Sequence, residues 1–557
     1  MRRRSLLKST LAGAAAFAVP QIGRTEGQKT LTFVPHADLA SLDPVWTTAD
    51  VTRNFALAVY DTLYGYDAEF KAQPQMVEGH AIENDGLQWD LLLRDGLTFH
   101  DGSPVRAPDC VATITRWAKR YPMGQALMDR TDELAAVTDK TIRFRLKKPF
   151  PLLPEALAEP YCSIMPERLA MTDAFEQIKE AVGSGPFKFV ASERIPGQRA
   201  TFERNPAYVP RTGGKPSFSA GPKVAHIERV VWNYVQDPAT AAAALAQGEV
   251  DWWENPAIDL VPYLQRNNNL VITVKDRTGR MGCLRFNQLF PPFDNAAVRR
   301  VVLDAVDQET VMAAVAGAEP SLAKIDVGLF VPGTPMASDA GVEITRRPDD
   351  YEKVKKELVA AGYRGERVVV LACSTIPSIH AMSQVATDVL RRIGMNINMQ
   401  LLEWGSVVAR RASREPLDKG GWSIFYISLG GMGNISPGPN LPLQASGATA
   451  WFGSPDDPKM EALREAWFEA PDQQVRQKIC RRMQEEFWLN PSYVPLGLWY
   501  QPTGFRANRQ YVRDGWTGVS PSRDRLAGRR GSFLLSVPIR HRGGWRWIRT
   551  PRRLCCA

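Results

Sequence analysis

No Cys-x-x-Cys pair occurs in this chain, and no two histidines stand at i, i+3 or i+4, so a metal centre has no local signature. The six histidines, His36, His80, His100, His226, His380 and His541, are scattered, and surface or core roles are expected for them. The seven cysteines, Cys110, Cys162, Cys283, Cys373, Cys480, Cys555 and Cys556, are too sparse for a disulfide scaffold. Buried, unpaired thiols are the expectation in the body, with a single disulfide left open because spacing does not fix connectivity. Local catalytic signatures are also missing. Gly214-Lys215 approaches a phosphate loop, but Pro216 stands where a hydroxyl is required, and Gly431-Met432-Gly433 lacks the third glycine of a dinucleotide fingerprint. There is no GxSxG, HExxH or EF-hand pattern, which weakens an enzymatic reading. Nor does any segment reach the roughly 18–20 uninterrupted apolar residues of a transmembrane helix.

What is present is a long chain of globular composition. At 557 residues, with 44% hydrophobic and 23% charged residues, it accommodates two to four units of about 100–200 residues each. The net charge of +9 is concentrated at the ends. Beyond Val519 stand Arg523, Arg525, Arg529, Arg530, Arg540, Arg542, Arg546, Arg549, Arg552 and Arg553 against the single acid Asp524. Arg2, Arg3, Arg4, Lys8 and Arg24 face only Glu26 at the other end. The body between is mildly acidic, and it gives no electrostatic case for nucleic acid.

The basic start, followed by the apolar run Leu11 to Val19, reads as a secretory signal, and Arg3-Arg4 ahead of Ser5, Leu6, Leu7 and Lys8 resembles a twin-arginine signal. Processing near Ala16-Phe17-Ala18 would leave a soluble periplasmic protein, since no cysteine follows the run to take a lipid. After Gly515-Trp516 the arginine-rich tail has neither strand nor helix periodicity. A frameshift in the gene and a cationic tail that binds anionic lipid are the two accounts of it.

Within the body, Val230 to Val235, an alanine-rich stretch to Gln247 and Val250 to Trp253 read strand, helix, strand. Asp237 serves as N-cap, Pro238 opens the helix and Gly248 ends it. The grammar returns at Arg367 to Ala372, Ile379 to Ile393 and Asn396 to Leu402. Two βαβ units imply two α/β lobes. Helical spacing of apolar residues predicts helices near Asn295 to Ala316, Tyr351 to Ala361, Pro458 to Ala470 and Gln473 to Trp488.

The segment from Leu87 to Val111, LQWDLLLRDGLTFHDGSPVRAPDCV, resembles the signature of the family 5 extracytoplasmic solute-binding proteins, the dipeptide, oligopeptide and nickel receptors of ABC importers. Weaker matches follow in the family's order: Ser41-Leu42-Asp43-Pro44, Gly183-Ser184-Gly185-Pro186-Phe187, Gly248-Glu249-Val250-Asp251, Phe286-Asn287 with Pro292-Phe293-Asp294, and Tyr493-Val494-Pro495-Leu496. The resemblance implies an α/β, two-lobed periplasmic-binding-protein fold of type II. It also implies a central cleft, a hinge crossed twice and an extra domain within the first lobe. The expected limits are a signal at 1–26, lobe I at 27–285 with the extra domain at about 70–190, lobe II at 286–490, a return to lobe I at 491–518 and the tail at 519–557. The crossings are expected near Arg285 to Asn287 and near Asn490 to Pro495.

By the same resemblance the chain captures a peptide-like or other small polar solute, as a monomer, and delivers it to an ABC permease, with no cofactor, no resident metal and no catalytic residue. A nickel or metal-chelate receptor is the alternative on this scaffold, and an exported hydrolase a more distant one. The implied ligand contacts are Trp46, Thr48, Ala49 and Asp50 from one side, and Trp404, Arg411, Gly431, Met432, Gly433 and Asn434 from the other. Trp404 matches an aromatic that lines the pocket in peptide receptors, and Arg411 offers a guanidinium to a ligand carboxylate, against the alternative of a solvated helix face. Peptide receptors usually place an aspartate for the ligand's α-ammonium where this chain has Gly433, which counts against free-amine peptides unless Asp50 supplies the charge.

Overall fold

A computed structural model describes residues 30–507, apart from 318 and 347–349. The signal read at 1–26, the tail at 519–557 and residues 508–518 of the return segment lie outside the described residues.

Two sheets organise the chain into two lobes. The first has seven strands, in the order Leu270–Val274, Pro502–Arg506, Trp252–Trp253, Thr30–Val34, Arg229–Asn233, Arg199–Arg204 and Phe187–Phe189. Its central strand Thr30–Val34 runs parallel to both neighbours. Phe33 is fully buried there, its ring 5.4 Å from that of Trp232 and 4.8 Å from that of Trp252. The helix Pro238–Gln247 carries the chain between those two neighbours. The Asp237 carboxylate accepts the Thr240 N–H at 2.7 Å, and Gly248, at φ 79°, takes the left-handed turn that ends the helix.

The second sheet has six strands, in the order Ala323–Lys324, Tyr493–Trp499, Arg280–Phe286, Ile424–Gly430, Arg367–Cys373 and Asn396–Leu402. Arg367–Cys373 and Asn396–Leu402 pair in parallel across the helix Pro377–Arg392. The helix expected at Asn295 to Ala316 is two, Ala296–Ala305 and Gln308–Ala316. Asp307 interrupts it because its side chain caps the second helix, accepting the Thr310 N–H at 2.7 Å.

Arg280–Phe286 and Tyr493–Trp499 both lie inside the second sheet, so the crossings between lobes fall at 275–279 and 500–501. The expected positions near Arg285 to Asn287 and Asn490 to Pro495 are thereby corrected. Arg280–Phe286 is hydrogen-bonded on both edges, to Ile424–Gly430 and to Tyr493–Trp499, and cannot serve as a hinge.

Beside the first sheet stands an antiparallel sheet of Val77–Glu83, Gln88–Leu93, Thr141–Leu146 and Thr131–Ala136. Trp89, Leu91 and Leu93 alternate inward while Leu92 is exposed, as a one-sided strand requires. This unit holds the signature segment, and the other early motifs grip it. The His100 N–H donates to the Gly183 carbonyl at 2.8 Å, and a His100 ring nitrogen lies 3.0 Å from the Gly185 carbonyl. Asp43 accepts a two-pronged hydrogen bond from Arg116, at 3.0 and 2.7 Å, with both side chains buried.

The same unit touches the second lobe away from the crossings. Arg130 pairs with Glu465 at 2.6 Å and lies over the rings of Phe150 and Phe468, while Lys148 pairs with Glu469 at 2.9 Å. Among the described residues no helix is long and apolar enough to cross a membrane, and five cysteines are unpaired and buried.

Candidate functional site

A cavity of about 1270 Å³ opens between the lobes. It exceeds the roughly 300–1000 Å³ typical of small-ligand pockets, so a solute longer than one amino acid has room.

The loop before the helix Asp50–Val59 supplies one wall: Trp46, Thr48, Ala49 and Asp50 all line the cavity. Asp50 sits in the first turn of that helix and is already paired twice. One oxygen accepts from Arg53 at 2.8 Å, and the other accepts from Arg280, in the second lobe, at 2.8 Å. Burial alone would raise the Asp50 carboxyl, but Arg53 and then Arg280 outweigh it and hold the group well below the usual carboxylate range. Arg280 also donates to the Ser428 hydroxyl at 3.1 Å. Nearby, Asn54 donates to Glu254 at 2.7 Å, a His36 ring nitrogen lies 2.7 Å from the same carboxylate, and burial raises the Asp276 carboxyl. Charge at the crossing end of the cleft is therefore answered from within the protein. The sequence expectation that Asp50 is available to a ligand ammonium meets this competition directly.

The opposite wall is built differently. Trp404 opens the short helix Trp404–Arg410, and Arg411 follows it. Arg411 is buried rather than solvated, its guanidinium within 5.7 Å of the ring centres of Trp404, Phe425 and Trp451 and 4.5 Å from that of Phe452. Its Nε and Nη1 have no hydrogen-bond partner among the described residues, and burial lowers its pKa to about 10. Stacking on ring faces offsets part of the lost hydration. The charge itself stays unanswered.

Met432, Gly433 and Asn434 line the cavity at the end of strand Ile424–Gly430. Gly431, expected beside them, lies behind the wall: a Cβ there would stand 2.1 Å from the Thr278 carbonyl oxygen, so the close approach of two backbones demands glycine. Around Gly433 a Cβ would meet nothing within 4 Å. Asn434 turns its amide back to donate to the Gly430 carbonyl at 3.1 Å.

Sequence reasoning missed Arg53, Arg280, Tyr121, Tyr161 and Glu159, all of which line the cavity. Arg53 had a readable signal, three residues beyond Asp50 on one helix face. Arg280 had none, since its partner is distant in sequence.

Residues 71–452 match the model of bacterial extracellular solute-binding proteins, family 5. A probable peptide ABC transporter periplasmic-binding protein, y4tO, from Sinorhizobium fredii is 36% identical over 90% of this chain and 95% of its own length. Similar solved structures include the agropinic-acid complex of a periplasmic binding protein from A. tumefaciens R10, with 21% identity, a TM-score of 0.74 and coverage of 88% of this chain and 98% of that one. Another is a periplasmic binding protein from Helicobacter pylori with the peptide STSA, with 22% identity, a TM-score of 0.73 and coverage of 89% and 98%.

Proposed function

The chain belongs to the bacterial extracellular solute-binding proteins of family 5, and from that premise we propose that it is the receptor of an ABC importer for a peptide-like solute bearing a carboxylate. Arg411 is the observation that carries the reading. A buried cation with no anionic partner costs folding free energy, and a ligand carboxylate in the cleft relieves that cost through paired N–H donation. The aromatic rings around it, Trp404 and Trp451 among them, offer flat apolar faces to the solute's body. Trp46, Thr48 and Ala49 contact it from the first lobe. The peptide-transport name of the Sinorhizobium relative supports the solute class.

Closure follows from geometry. A solute held from both walls is bound fully only when the lobes are together, so it stabilises the closed state by its extra contacts. No bond need be made or broken, and binding rather than catalysis is the proposed role. Export by the twin-arginine route to the periplasm belongs to the same proposal, supported by Arg3-Arg4 and the apolar run that follows.

Thermal-shift screening against short peptides, opines, sugars and metal chelates tests it. A solute at a hundred times its Kd stabilises by about 2.7 kcal/mol. Carboxylate-bearing peptides or opines are expected to give the largest shifts, and Arg411→Met to weaken them by removing the carboxylate's share of the affinity. Equal stabilisation by neutral sugars overturns the solute class, and chemical turnover of a hit overturns the binding-only role.

A further inference from the structure

Arg411 has an acidic counterpart on the facing wall. Glu159 lines the same cavity from the first lobe and is 6% exposed; its Oε1 is buried without a hydrogen-bond partner, and no cation pairs with its carboxyl among the described residues. We infer that Glu159 is the carboxylate that receives the N–H-bearing, cationic end of the solute whose carboxylate lies on Arg411. The inference rests on the receptor reading above and specifies the solute as dipolar.

Three observations single out this residue. Gly433 offers no carboxylate on the second lobe, and Asp50 is held by Arg53 and Arg280. The remaining acids lining the cavity, Asp38, Asp259 and Glu319, are half-buried or exposed, and water answers their charge. The hydroxyls around Glu159 are also engaged elsewhere. Tyr121 donates to the carbonyls of Pro44 and Thr47 at 3.0 and 3.1 Å, Tyr161 to that of Thr48 at 3.4 Å, and Tyr66 to that of Glu155 at 2.8 Å.

The carboxyl therefore sits in an apolar recess beside two stacked rings, those of Tyr121 and Tyr161 at 4.7 Å and 16°. Burial pushes its pKa up to about 8, only partly offset by the Trp117 indole. The empty receptor thus keeps it neutral near pH 7, and a cationic group arriving in the recess ionises it. Charge in the filled cleft would then be closed by a salt link at each end. A glutamine resembles the neutral acid in size and shape, so Glu159→Gln is expected to fold.

Three pools serve as probes for the full chain: a pancreatic digest of casein, the same digest after N-acetylation, and the same digest after amidation of its carboxyl groups. Apparent affinity is read by thermal shift over a concentration series. In the wild type, acetylation is expected to weaken binding by about tenfold or more, and amidation by a similar factor. In Glu159→Gln the cost of acetylation should fall below about twofold while that of amidation persists, and Arg411→Met should show the converse. A wild type indifferent to acetylation, or a Glu159→Gln protein that still discriminates fully, overturns the inference and leaves the receptor reading intact. If Asp38→Asn rather than Glu159→Gln removes the discrimination, the inference is also overturned. No stabilisation by any of the three pools overturns both.

Discussion

Three guanidiniums line one cleft, and they are treated in opposite ways. Arg53 and Arg280 share the Asp50 carboxylate near the crossings, whereas Arg411, on the far wall, is given aromatic rings and no anion. Both environments are largely dry. Pairing at the crossing end joins an element of the first lobe to the first strand of the second, so its charges hold the protein together. On the far wall the charge is left for a visitor. Interior charge thus falls into two kinds, separable by asking whether the protein supplies the counter-ion.

The largest effect should come from removing the shared anion. Asp50→Ala leaves two guanidiniums facing each other, and urea unfolding should show a loss of about 3–5 kcal/mol. Asp50 also has a pH signature. Its folded carboxyl is held below the ordinary range, so the stability it brings is complete above the unfolded value and is lost only as pH falls towards the folded one. Acid titration of stability should therefore lose part of its slope in Asp50→Asn.

Arg411→Met should act in the opposite direction, raising the stability of the empty protein by about 1 kcal/mol or more while reducing the solute-induced thermal shift. A fall in the empty protein's stability would place Arg411 with the structural pair and dissolve the contrast.

Glu159 predicts a third pattern. Because its folded pKa is raised to about 8, its contribution is present below the ordinary glutamate range and is lost as pH rises through that value. Tyr66, Tyr121, Tyr161 and Cys162 face it, and all four stay neutral over this window because burial raises each of them. Melting curves from pH 5 to pH 8 should show Glu159→Gln gaining on the wild type. Smallest is Gly433→Ala, at less than about 0.5 kcal/mol by denaturant midpoint, whereas Gly431→Ala should cost about 1–3 kcal/mol through the clash with Thr278.

Local pattern carried much of the fold. Asn396 to Leu402 is a strand at both ends as read, and Asp237, Pro238 and Gly248 do what capping chemistry assigns them, because those signals lie within one turn of the residues they govern. The crossings were misplaced because the apolar stretches at Arg280–Phe286 and Tyr493–Trp499 look alike whether they end one lobe or begin the next. Only their pairing decides. The same distinction limits the site. The environment of Arg411 is set by Phe425, Trp451 and Phe452, and that of Asp50 by Arg280, none of them near in sequence. Glu159 sits in a proline-rich loop that carries no periodic signal at all. Conversely, the most recognisable motif, Leu87 to Val111, is tied to Gly183 to Phe187 by scaffold contacts of His100, and the helix that starts within it, Ala107–Ala118, holds Asp43 through Arg116, which is why it names the family and not the solute.

The strand Pro502–Arg506 has a bearing on how the molecule is made. It pairs with Trp252–Trp253 and with Leu270–Val274, both formed from chain that leaves the ribosome long before it. The first sheet must therefore wait, with an open edge, while the entire second lobe is translated, although the second lobe is continuous from Arg280 to Trp499 and can close as soon as its last strand emerges. Assembly order is thus inverted relative to sequence order: the later lobe finishes first, and the earlier one is exposed to mispairing until the chain returns.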